Sequence, residues 1–160
     1  MTLKLSNAKI RDLLAAHNQL DGWQDVIREN GQKIVVRQPY ILSGKAIYNI
    51  TKNIRLLREF VEKVNKDRDE ILSRISLGTN EIDGEKEPEK AREFAKAVGE
   101  IEEDVIEVSG LLGLKMTELL NDDLEGNEKR DKNRVTNPIP STALASLAPV
   151  LDIFQGPAIE

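Results

Sequence analysis

Residues 43–77 place the strongest constraint on this chain. Ile47, Ile50, Ile54, Leu57, Val61, Val64, Ile71 and Ile75 recur in steps of three and four, with Arg68 in the one skipped place. A seven-residue repeat held for about four heptads predicts one helix, Ser43 to Leu77, packed lengthwise on another helix. At 1.5 Å per residue it would reach ~50 Å. Aromatic residues are only 4% of the chain, so aliphatic helix-on-helix packing is the core this composition can build.

The charges suggest a mate for that helix. Residues 43–77 carry eight basic and five acidic side chains, a net of +3. Residues 85–104 carry eight acidic and four basic, a net of −4. Pro88 suits the first turn of a second helix, with Glu85, Glu87 and Glu89 placed well for its N-terminal dipole. Ala91, Phe94, Val98 and Ile101 continue a helical stripe. Residues 88–103 are therefore expected to return antiparallel beside the long helix. They cover ~24 Å of it, which leaves Ile47 to Leu57 to be covered by something else. Arg68 is expected to set register in the seam.

The rest of the chain supplies candidates for that cover. After a short alternating lead-in at Thr2–Leu5, Ser6 or Asn7 caps a helix that runs to Asp21. Ile10, Leu13, Leu14 and Leu20 lie on one face of it. His17, the only histidine, falls one position off this stripe and reads as a packing residue rather than a metal ligand. Asn30-Gly31 separates β-rich runs at 25–29 and 32–37, the turn chemistry of a tight hairpin. A two-stranded hairpin is marginal in water, so a third strand or a helix is expected against it; β-branched residues 104–109 are the nominee for the strand, although Val105 and Val108 would also continue the helical stripe. Trp23 and Tyr40 would then cover the sheet. The predicted fold is α+β and mainly α: a long antiparallel helical hairpin, an N-terminal helix, a small antiparallel sheet and a short C-terminal helix.

Three regions are expected: a helical-hairpin domain at 1–120, a polar linker at 121–134, and a C-terminal segment at 135–160. The last opens with Pro138-Ile139-Pro140, and Ser141 to Ala148 follows as a short helix that cannot stand alone. Pro138, Ile139, Pro140, Leu144, Leu147 and Leu151 are the candidate docking residues, in cis or on a partner. Thr117 to Leu120 reads as a short turn of helix.

No catalytic pattern is present. There is no phosphate-binding glycine loop, dinucleotide fingerprint or nucleophile elbow. Zero cysteines exclude disulfides and thiolate metal sites. Asp67, Asp69 and Glu70 do not share one helix face. Asp122, Asp123 and Glu125 lack the ligand spacing of a calcium loop. No cofactor, metal or enzyme activity is expected. A formal net charge of −5 argues against general nucleic-acid binding. Lys52, Arg55 and Arg58 nevertheless form a basic stripe that would carry an alternative, nucleic-acid or host-factor-binding role. No apolar run spans a membrane, and no signal peptide is seen.

Several pieces resemble a loosely defined family of small tailed-bacteriophage accessory proteins. They are Leu20-Asp21-Gly22 after a short helix, then Gly44-Lys45 through Ile50-Thr51-Lys52-Asn53-Ile54-Arg55-Leu56-Leu57, and the Pro138-to-Pro149 segment. The polar stretch at 121–134 departs from that family's compact form. The resemblance implies a viral, non-enzymatic role, encoded near virion assembly genes, and carries over no active site. Together these readings lead to an expected docking or self-associating protein, homo-oligomers included. Its expected place is the host cytoplasm, in association with the virion.

Overall fold

The computed structural model describes residues 1–38, 40, 42–120 and 139–152. The fold is α+β and mainly α, as the sequence patterns require. Its order is β1 (Thr2–Ser6), α1 (Asn7–Gln19), β2 (Trp23–Glu29), β3 (Gln32–Gln38), α2 (Gly44–Ile75) and α3 (Pro88–Glu103). Then come β4 (Val105–Ser109), β5 (Leu114–Lys115), α4 (Met116–Leu120), α5 (Ser141–Leu147) and β6 (Leu151–Asp152).

Local chemistry sets the helix ends. The Ser6 and Ser43 hydroxyls accept the backbone N–H groups of Lys9 and Ala46, at 3.2 and 3.1 Å. Each cap satisfies an amide that the helix itself leaves free, worth about 1 kcal/mol. α2 stops where Gly78 N–H bonds back to Ser73 O at 2.9 Å. Leu77, just before it, takes a left-handed conformation with φ +55°.

The long helix has two covers, and its buried stripe changes between them. Over the N-terminal half it buries Ala46, Asn49, Ile50, Asn53 and Leu57 against α1. Ile47, expected in the seam, is exposed instead. Spacings of three, four, seven and eleven from Ala46 follow the 3.6-residue helix rather than the 3.5-residue heptad. Small Ala46 and two asparagines make that face poor in hydrophobicity, which is why apolar periodicity alone misses it. Beyond Leu57 the heptad positions return: Val64 and Ile75 are buried, and Val61 and Ile71 are half-buried.

α3 lies beside this second half as expected, but loosely. Ala91, Phe94, Val98 and Ile101 are half-buried, and none of its residues is fully buried. Arg68 reaches across the seam to place its guanidinium 5.7 Å from the Phe94 ring, a cation–π contact. Among the described residues no ion pair joins α2 to α3. The acidic helix is tied to α1 instead, by Arg11 with Glu102 and by Asn7 Nδ2 donating to Ile101 O at 2.8 Å.

Residues 105–109 form a strand, but its partner is not the Asn-Gly hairpin. β4 pairs antiparallel with the N-terminal strand β1, Leu3 opposite Val108 and Leu5 opposite Ile106. The junction explains the choice. Asn7 N–H bonds Asp104 O at 3.0 Å, so α1 begins where α3 ends and the flanking strands run side by side. The expected three-stranded sheet is thus replaced by separate two-stranded ones.

The C-terminal segment docks on its own chain. Ile139, Ala143, Leu147 and Val150 are buried in the same cluster as Ile10, Leu13 and Leu57. α5 packs on α1, and β6 adds a short parallel pairing to β5. Deleting this segment would open a cavity over α1, at a cost of a few kcal/mol per buried aliphatic lost. The polar linker at 121–134 and Pro138 lie outside the described residues.

Candidate docking site

β2 and β3 form a ribbon that joins no other strand among the described residues. Asn30 and Gly31 take φ +50° and +78°, the pair of positive values that a two-residue hairpin turn needs. Seven residues per strand give an arm ~24 Å long at 3.4 Å per residue.

Register sorts the arm into two faces. The pairs Gln24–Arg37, Val26–Val35 and Arg28–Lys33 lie on one face. The pairs Asp25–Val36, Ile27–Ile34 and Glu29–Gln32 occupy the alternate register positions. The first face centres on Val26 and Val35, which are 58% and 63% exposed. The second centres on Ile27 and Ile34, each 37% exposed. Cover from Trp23 and Tyr40 was expected; the Trp23 side chain lies outside the described part, and Tyr40 packs against the hydrophobic core, its phenol pKa pushed up by burial against the pull of Arg37. These four β-branched side chains stay exposed, the valines more than the isoleucines, on a ribbon whose outer edges have no strand partner among the described residues.

The first face carries three cations, Arg28, Lys33 and Arg37. Arg28 and Lys33 stand directly opposite each other, an unfavourable pairing of like charges. Arg37 leans on Asp21 at 3.4 Å across an exposed gap. The second face carries Glu29, with Asp25 in the same register set. The arm is thus apolar at the centre of both faces and opposite in charge from one face to the other.

The body behind the arm is held by a polar knot. Asn53, fully buried on α2, clamps both backbone polar groups of one residue, Leu112, in the segment after β4. Its Nδ2 donates to Leu112 O at 2.8 Å, and its Oδ1 accepts Leu112 N–H at 2.8 Å. Asn49 Nδ2 donates to Gly113 O at 3.0 Å. His17 completes the set. Its Nδ1 lies 2.7 Å from Leu13 O, and its Nε2 lies 3.1 Å from Asn53 Nδ2. A carbonyl only accepts, so Nδ1 carries the proton and Nε2 is left to accept from Asn53. Burial lowers the His17 pKa, opposed by the bond to Leu13, and the ring is neutral. His17 is inside the α1 stripe, not beside it, since 10, 13, 17 and 20 step by three, four and three. It is fully buried and joins α1 to Asn53 on α2.

The other sequence-nominated residues fall into two groups. Ile139 and Leu147 are buried, and Leu144 and Leu151 are packed against the core. Pro140 is exposed ahead of α5. Lys52, Arg55 and Arg58 are all exposed on α2, with the Lys52 ammonium 5.5 Å from the Tyr48 ring. Among the described residues no three His, Asp or Glu gather as a metal site, and no helix is long and apolar enough to cross a membrane. The arm itself was readable as a hairpin from Asn30-Gly31, but its freedom from other elements was not. Comparison with protein-family models, with curated proteins and with solved structures finds no match to this chain.

Proposed function

We propose that this chain is a non-enzymatic docking protein, of the virion-assembly kind implied by its resemblance to phage accessory proteins, and that the β2–β3 arm is the part that docks. One observation carries this reading: Val26, Ile27, Ile34 and Val35 stay exposed on a ribbon that pairs with no other strand among the described residues. Burying an aliphatic side chain is worth about 1.5–3 kcal/mol, and a long two-stranded ribbon with open edges invites pairing or cover. The remainder of the fold acts as a base. α1, α2 and α5 share one core, and the polar knot fixes the segment after β4 against α2. The test is association with assembling particles, measured by co-sedimentation. V26D/V35D should lose association while keeping its melting temperature. Association equal to wild type in that variant sinks the reading.

The basic stripe supports a second reading. Lys45, Lys52, Arg55 and Arg58 occur with no acidic residue between positions 44 and 58, and all four are exposed. An anionic partner, nucleic acid or an acidic host factor, would seat there. Binding of DNA at low salt that weakens steeply as salt rises, and that is lost in K52E/R55E, would favour it over the arm.

A further inference from the structure

We propose that the surface which covers the arm is the arm of a second copy, stacked face on face, the cationic side of one ribbon on the acidic side of the next. This rests on the docking reading above and names its partner. The argument is charge complementarity in a matching register. Set the Val26–Val35 pair of one ribbon over the Ile27–Ile34 pair of the next, tips pointing the same way. One step toward the tip, the Arg28–Lys33 pair then lies over the Glu29–Gln32 pair, Arg28 above Glu29. One step toward the base, the Gln24–Arg37 pair lies over the register positions of Asp25 and Val36. The apolar pairs and the Arg28–Glu29 charges match in the same register. A carboxylate delivered between Arg28 and Lys33 also relieves the like-charge pairing that the isolated arm tolerates.

The same geometry sets the form of the assembly. A contact between two different faces is heterologous, so each copy keeps one free face and the stack continues until it closes. Stacked sheets lie ~10 Å apart, whereas the body at the arm's base is more than one helix, ~10 Å each, in thickness. Copies joined through their arms must therefore fan outward at the base with the arm tips toward the centre, and such a fan closes into a ring where the rotation per copy divides the circle and grows as an open helix where it does not.

The test is solution mass by light scattering and sedimentation, on full-length chain over a wide concentration range. Wild type should exceed monomer mass. R28E/K33E makes both faces acidic, and D25K/E29K makes both faces basic; each should fall to monomer with the helical circular dichroism unchanged. Mixing the two should restore a multimer, since the acidic face of one meets the basic face of the other. A multimer that regains its size on mixing also shows that both variants are folded. Wild type that stays monomeric overturns the proposal, as does an R28E/K33E mass equal to wild type or a mixture that stays monomeric. A monomeric wild type that still binds assembling particles through Val26 and Val35 would overturn self-stacking alone and leave the docking reading standing.

Discussion

His17 Nε2 and Asn53 Nδ2 lie 3.1 Å apart in the interior, and the direction of that bond is fixed from both ends. On one side, Leu13 O requires the proton on Nδ1. On the other, Asn53 uses its oxygen and one N–H on Leu112, which leaves its second N–H for the histidine. A second proton on His17 would confront that N–H. Turning the amide to avoid it would break both bonds to Leu112. The knot therefore holds a neutral ring and has no relaxed protonated form.

A pH dependence follows, with a definite sign. Burial lowers the folded pKa of His17 below its ordinary 6.5. Below that value the unfolded chain binds a proton that the folded chain refuses, so stability falls as pH falls. The limiting slope is about 1.4 kcal/mol per pH unit for one such group. Urea denaturation of wild type and H17L from pH 7.5 to 5 should show the two stabilities converging toward acid. Parallel curves would refute the assignment, because the carboxylates common to both cancel in the difference.

Asn53 and Asn49 sit one helical turn apart, yet their removal should not cost the same. N53A leaves both backbone polar groups of Leu112 and His17 Nε2 without partners. N49A releases only Gly113 O. At about 1–3 kcal/mol for each unsatisfied buried group, N53A is expected to cost about 3–5 kcal/mol, and N49A about 1. Equal losses by chemical denaturation would mean that water replaces the clamp.

These asparagines also show what hydropathy patterns cannot reveal. The heptad made the long helix legible, and the opposed charge counts placed α3 beside its C-terminal half. Neither signal registers a helix face whose interior groups are Ala46, Asn49 and Asn53, since that face gains stability by hydrogen-bonding a loop rather than by burying apolar area. The β-branched run at 105–109 read as a strand, but its partner depended on the Asn7–Asp104 junction, a contact between residues far apart in sequence. The hairpin was legible from Asn30-Gly31. That it pairs with no other strand among the described residues is a property of the whole topology, whereas the Pro-Ile-Pro motif and short helix that mark the C-terminal segment in the sequence belong to a piece whose described part the core absorbs.

Leu77 offers a stabilising substitution. It is 82% exposed and held at φ +55° directly after α2, where a side chain strains against the backbone and glycine does not. Almost no burial is lost by removing it. Relief of strain exceeds the added freedom of glycine in the unfolded chain, so L77G should raise stability by about 0.5–1 kcal/mol. A lower melting temperature would show that Leu77 makes a packing contact in solution.

The arm should behave as an independent, weaker unit. None of Val26, Ile27, Ile34 or Val35 belongs to the hydrophobic core, and a lone two-stranded ribbon is marginal by itself. In dilute monomeric protein, amide exchange in β2 and β3 should therefore be much faster than in β1 and β4, whose Leu5 and Val108 are buried. G31V is the sharper probe. A β-branched residue at φ +78° opposes the turn itself, and no neighbour lies within 4 Å to be disturbed. The arm should then lose its residual protection while the melting temperature of the body moves by no more than about 0.5 kcal/mol equivalent. A large drop in global stability would mean that the ribbon braces α1 and α2, and that its exposed aliphatics serve the fold rather than a partner.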